Sequence, residues 1–70
     1  MKIGVDCQYL SKREYAGPEK YAVNLLFELS KLDSENEYIL YFNKEPSNEL
    51  VLKLINNSSN FNTKVLHSQI

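Results

Sequence analysis

The spacing of apolar positions changes along the chain, and each change marks an element. Ile3–Val5 is a short apolar, β-branched segment closed by Asp6, which reads as a buried strand. Gly4 lies inside it; glycine weakens a strand, so its presence points to close approach by a helix or a neighbouring backbone. After Cys7–Leu10, the run Ser11-Lys12-Arg13-Glu14 is polar without a period and reads as a loop. From Tyr21 the apolar residues recur at Tyr21, Leu25 and Leu29 and at Ala22 and Leu26, with Leu32 closing the stripe. This predicts an amphipathic helix with Tyr21 on its buried side. Gly17 serves as N-cap and Pro18 as first helical residue, where its missing N–H has no partner to lose. Glu19 lies near the positive end of the helix dipole and Lys31 near the negative end. Asp33-Ser34-Glu35-Asn36 then stops the helix with turn formers.

Glu37–Phe42 shows no polar alternation from Tyr38 onward, which predicts a strand covered on both faces in a parallel sheet. Asn43–Ser47 is a turn with Ser47 as N-cap. Glu49–Ile55 is a second helix, pairing Leu50 with Leu54 and Val51 with Ile55. Asn56–Asn62 reads as loop apart from Phe61, and Thr63–His67 as a third strand. The order is β-α-β-α-β, an α/β class with a short parallel sheet, and the roughly thirty residues between the first two strands suffice for a right-handed crossover.

Composition narrows the functional classes. At 70 residues, a folded unit hides only ~60% of the surface its unfolded chain exposes, so the core is thin. One Cys and one His exclude an intramolecular disulfide and a four-ligand zinc site. A net charge of -1, from eight Lys+Arg against nine Asp+Glu, disfavours nucleic acid. The longest apolar run, Tyr38–Phe42, falls far short of the ~20 residues of a bilayer span, and Asp6 interrupts what would be a signal-peptide core. A cytoplasmic location without a membrane span is the expectation.

In an open α/β sheet, ligands bind beyond the carboxyl ends of the strands. That rule selects the Cys7–Gly17 connection and the first turn of the helix behind it, where the N–H groups of Glu19, Lys20 and Tyr21 can meet an anion, helped by Lys12, Arg13 and Lys20. The competing reading makes Gly17 a turn residue and the bases solvated surface. Asp6 either binds a ligand hydroxyl or caps loop N–H groups, and the capping role is favoured. Cys7 reads as a small buried hydrophobe rather than a nucleophile, having no His nearby in sequence, and His67 as a strand residue. Tyr9 and Tyr15 flank the loop, where they can stack on a sugar or base. With glycine only at positions 4 and 17, neither the dinucleotide fingerprint nor the P-loop can be written. No cofactor, metal or catalytic residue is assigned.

Lys2-Ile3-Gly4-Val5-Asp6, the loop ending in Gly17, then Lys20-Tyr21, Asn24-Leu25-Leu26, Glu28-Leu29, and Leu32-Asp33 ahead of Glu35-Asn36-Glu37-Tyr38 resemble the amino-terminal start of a retaining family 4 glycosyltransferase of the GT-B fold. The likeness covers about the first 43 residues. It implies two Rossmann-like domains across a cleft, a nucleotide-sugar held mostly by the carboxyl-terminal one and an acceptor mostly by the amino-terminal one. Residues 1–70 are then part of the acceptor-side domain, with no second domain in this chain. The resemblance maps the loop that approaches donor phosphate or acceptor onto Gly17, Pro18, Glu19 and Lys20, with Asp6 and Arg13 as loop support. Glu19 stands where family members often have a second glycine, and Gln8 lies where a basic residue is common.

The expectation is therefore an amino-terminal portion of a sugar transferase that is inactive alone. The alternative is a small non-catalytic α/β binding or interaction module using the Cys7–Gly17 loop. With an unpaired sheet edge, the isolated chain is expected to self-associate.

Overall fold

The computed structural model describes residues 1–66; His67 lies outside them. Three strands and two α-helices follow in the order β1 (Lys2–Asp6), α1 (Gly17–Leu32), β2 (Glu37–Phe42), α2 (Glu49–Asn57) and β3 (Phe61–Val65), with a single 3₁₀ turn at Gln8–Leu10 after β1. The sheet is parallel, its spatial order is β1-β2-β3, and β2 lies in the middle. Ile3 pairs with Tyr38 and Val5 with Leu40, while Tyr38, Leu40 and Phe42 pair with Phe61, Thr63 and Val65. These residues share one face of the sheet, because side chains alternate along each strand.

Both helices cover that face. Val23 and Leu26 of α1 and Val51 and Leu54 of α2 join Tyr38, Leu40, Phe42 and Phe61 in one buried cluster, completed by Cys7 and Leu10. The expectation that β2 is covered on both faces is corrected: burial alternates along it, and Ile39 and Tyr41 on the other face are only partly buried. They are shielded by neighbours in the sheet rather than by a second helix layer. Gly4 belongs to this open face, and a Cβ there would lie 3.0 Å from Cε2 of Tyr41. The close approach expected at Gly4 is made by this aromatic ring, not by a helix or backbone.

The buried stripe of α1 is corrected in part, since Ala22, Leu26 and Leu29 lie on it as the spacing predicts. Its centre is Val23 and Leu26, with Ala22, Phe27 and Leu29 packed beside them, whereas Tyr21, Leu25 and Leu32 are 67%, 52% and 82% exposed. The N-cap is Ala16, so Gly17 is already helical, and Asn48 rather than Ser47 caps α2 through Oδ1, which accepts from Leu50 N–H at 2.8 Å. α2 extends to Asn57, and β3 begins at Phe61, two residues before the expected strand.

At the amino ends of the strands, Asp33 organises the turn from α1 into β2. Its carboxylate accepts from the Tyr38 hydroxyl (2.6 Å), from Asn36 Nδ2 (2.8 Å) and from the N–H groups of Glu35 and Asn36. The Tyr38 hydroxyl, followed by the Asn36 amide, pulls the Asp33 carboxyl down to about 2. Asn60 Nδ2 donates to the carbonyls of Asp33 and Asn36, joining this turn to the one before β3.

Candidate functional site

The carboxyl ends of β1 and β2 carry two loops that are tied together. Cys7 N–H donates to Tyr41 O (2.8 Å), extending the pairing by one residue, and the following 3₁₀ turn seats Leu10 in the core. The buried Ser11 hydroxyl accepts from Asn43 N–H (3.3 Å). Asn48, while capping α2, also donates through Nδ2 to Arg13 O at 2.7 Å. Between these loops lies an open cleft of about 400 Å³ lined by Arg13, Glu14, Ser47, Asn48, Glu49 and Leu50. Its walls hold one guanidinium, two carboxylates, a hydroxyl and an amide beside Leu50, a set suited to hydrogen-bonding a polyhydroxylated or polar molecule rather than to gathering a polyanion.

Of the residues named from sequence, Arg13 lines this cleft; Asp6, Gly17, Pro18, Glu19 and Lys20 do not. Asp6 is a loop cap: Oδ1 accepts from Gln8 N–H at 3.1 Å. At the start of α1 the anion position is filled from within the chain. Glu19 Oε1 accepts from Ala16 N–H (2.8 Å), and Oε2 meets Lys12 Nζ at 2.7 Å. Lys12 first, then the Glu19 N–H, lowers the Glu19 carboxyl below its ordinary value. Ala16 has no side-chain oxygen, so only half of a capping box forms. Two expected donors are redirected: Lys20 N–H gives its bond to Ala16 O (3.1 Å), and Tyr21 already lies inside the helical ladder.

Cys7 is fully buried, and burial, reinforced by Asp6, pushes its thiol up to about 11, far from a nucleophile's range. Tyr15 donates its hydroxyl to Leu10 O at 2.6 Å, so it fastens the loop instead of offering a stacking surface. Burial is the main cause that raises this phenol to about 12. Tyr9 remains exposed beside it. Among the described residues no group of three His, Cys, Asp or Glu side chains is placed to hold a metal ion, and no helix is long and apolar enough to cross a membrane.

Sequence reasoning missed Glu14, Ser47, Asn48, Glu49 and Leu50 as cleft residues. The Asn48–Arg13 bond joins positions 35 apart, and no local pattern announces a contact between two loops. The one available signal was the topological rule, which places both loops at the same end of the sheet. No family model, curated protein or solved structure matches the chain.

Proposed function

We propose that the chain is the amino-terminal, acceptor-side part of a cytoplasmic retaining glycosyltransferase of the GT-B fold, which transfers a sugar from a nucleotide-sugar to an acceptor. The observation that supports this reading is the residue set from Lys2 to Tyr38, which resembles the family's start and runs in the same β-loop-α-turn-β order as the elements of the fold. The parallel β1-β2-β3 arrangement is compatible, being one half of a Rossmann-like sheet with β1 at the edge where the second half would join. The cleft at Arg13 and Asn48 supplies polar groups of the kind that bind acceptor hydroxyls.

The 70-residue chain alone does not turn over donor, because retaining transfer needs a closed, water-poor cleft of which it forms one wall. The test reads the coding sequence past Ile70 and assays the extended product with a panel of nucleotide-sugars. A continuation of ~100–200 residues or more in α/β alternation, with sugar transfer by the extended product, supports the proposal. A stop codon at that point overturns it and favours the small binding module, and turnover by residues 1–70 alone overturns it in favour of neither.

A further inference from the structure

We infer that the cleft between the two loops takes a sugar or polyol carrying a protonated amine, its ammonium held between Glu14 and Glu49, so that the acceptor of the proposed transferase is an aminated one. Naming this ligand an acceptor rests on the transferase reading; the charge preference rests on the cleft alone. The volume of about 400 Å³ has room for a sugar ring. Its walls are set before any ligand arrives. Ser11 Oγ accepts from Asn43 N–H (3.3 Å) and Asn48 Nδ2 donates to Arg13 O (2.7 Å), so the loop after β1 and the loop after β2 are fastened at two points. Asn48 therefore builds the wall, with Oδ1 capping α2 and Nδ2 holding the opposite loop.

The charged side chains that line the cleft differ from those beside it in having no partner within the chain. At the same end of the sheet, Asp6 Oδ1 accepts from Gln8 N–H, and Glu19 bridges Ala16 N–H and Lys12 Nζ. Lys12, the cation next to Arg13 in sequence, is thereby taken up. Among the described residues, the side chains of Arg13, Glu14 and Glu49 make neither a salt bridge nor a hydrogen bond. One guanidinium against two carboxylates leaves the lining with an excess of one negative charge. Glu49 is also the first residue of α2, where the helix dipole offsets part of its charge. All three side chains reach water, so each pairing with a ligand is modest in strength.

An ammonium answers this arrangement as a hydroxyl or a phosphate does not. It donates charge-assisted hydrogen bonds to both carboxylates. The Arg13 guanidinium, a donor only, is then left to the oxygens of neighbouring hydroxyls. Leu50, 37% exposed, offers an apolar surface to the C–H face of the ring. A phosphorylated or carboxylated sugar would gain Arg13 and meet two like charges in the same space, with Lys12 held away by Glu19. A neutral sugar keeps the hydroxyl contacts and forgoes the two charged ones.

The test is an amide NMR titration of the chain with methyl glucosaminide, methyl glucoside and a phosphorylated glucose, at low salt and about pH 6, where the amine is protonated. The amides of Arg13, Glu14, Asn48 and Glu49 are expected to shift saturably with the glucosaminide, at roughly one fifth of the concentration that the neutral glucoside needs, with the phosphorylated sugar weakest. Glu14→Gln and Glu49→Gln should each cut that preference about twofold, and added salt should erase most of it. The amide dispersion of each variant reports its fold. The inference is overturned by the absence of saturable shifts at the cleft, by equal affinity for the aminated and neutral sugars, by tightest binding of the phosphorylated one, or by a preference that survives both substitutions. Transfer by the extended product to neutral acceptors only also overturns it and leaves the transferase proposal standing. An amine-selective cleft in a chain whose reading frame stops at Ile70 overturns that proposal and leaves the binding site.

Discussion

Covering the sheet on one face only has a measurable consequence at two adjacent residues of β2. Leu40 is fully buried beneath both helices, whereas Ile39 sits on the open face, partly shielded by its neighbours. Leu40→Ala removes a side chain from the centre of the cluster and leaves a cavity that two helices cannot easily close, at a cost of about 3–4 kcal/mol. Ile39→Ala removes a similar number of carbons, but from a surface that water already reaches, and should cost about 1–1.5 kcal/mol. A chain of 70 residues has a total stability of roughly 4–7 kcal/mol, so the first change consumes much of the margin. Urea unfolding followed at 222 nm, in sodium sulfate to raise the baseline, reads both. With an m-value of about 1 kcal/mol/M, the midpoint should fall by about 3 M for L40A and about 1 M for I39A. The measurement belongs at concentrations where the chain is monomeric. If I39A costs as much as L40A, the open face is covered in solution and the single-layer description is wrong.

Further outcomes follow from the loops and turns. Asn48→Ala should cost about 1–2 kcal/mol by removing the α2 cap, while Asn48→Asp keeps the cap oxygen and loses only the donor to Arg13 O, so amide exchange should quicken at Arg13 and Glu14 with little change in stability. Because the Asp33 carboxyl is held at about 2 against an ordinary 3.8, its contribution is complete above pH 3.8 and is lost as pH falls through 2. Acid titration of stability should therefore slope downward in that window for wild type and flatten for Asp33→Ala. The Cys7 thiol should resist an aromatic disulfide reagent in the native protein and react at once in urea; rapid native labelling would contradict its burial. Glu19→Gly should vacate the positive end of α1 and admit inorganic phosphate, seen as amide shifts at Ala16 and Gly17 absent from wild type.

How far the sequence could carry the reader differs by element. The β-α-β-α-β order was legible because turn formers punctuate it: Gly17-Pro18 opens α1, Asp33–Asn36 closes it, and Asn43–Ser47 precedes α2. The orientation of α1 was not. Its apolar residues span an arc wide enough for two overlapping stripes, and the spacing of Tyr21, Leu25 and Leu29 is as regular as that of Ala22, Val23 and Leu26. Only the position of the sheet decides between them. β2 looked buried on both faces because Ile39 and Tyr41 are apolar, yet strand neighbours suffice to shelter them in part. The start of β3 is hidden in the sequence because Asn62, Thr63 and Lys64 are polar; at a sheet edge Thr63 stays exposed on the inward face, and only Phe61 and Val65 are sheltered there. At the loops, the capping role of Asp6 was readable from its place after a strand, while the cleft was not, since its two walls come from segments that meet only once the sheet has formed.

The Tyr41 ring lying beside Gly4 gives the molecule a built-in magnetic reporter. Aromatic ring currents shift nearby protons according to their position about the ring, so the two Gly4 Hα protons, unequally placed beside Tyr41, should resonate apart from each other. Their separation vanishes when β1 peels away from β2, and it changes if another element settles on that face and turns the ring. Two proton lines from a residue without a side chain thus record both the integrity of the sheet and the occupancy of its bare surface.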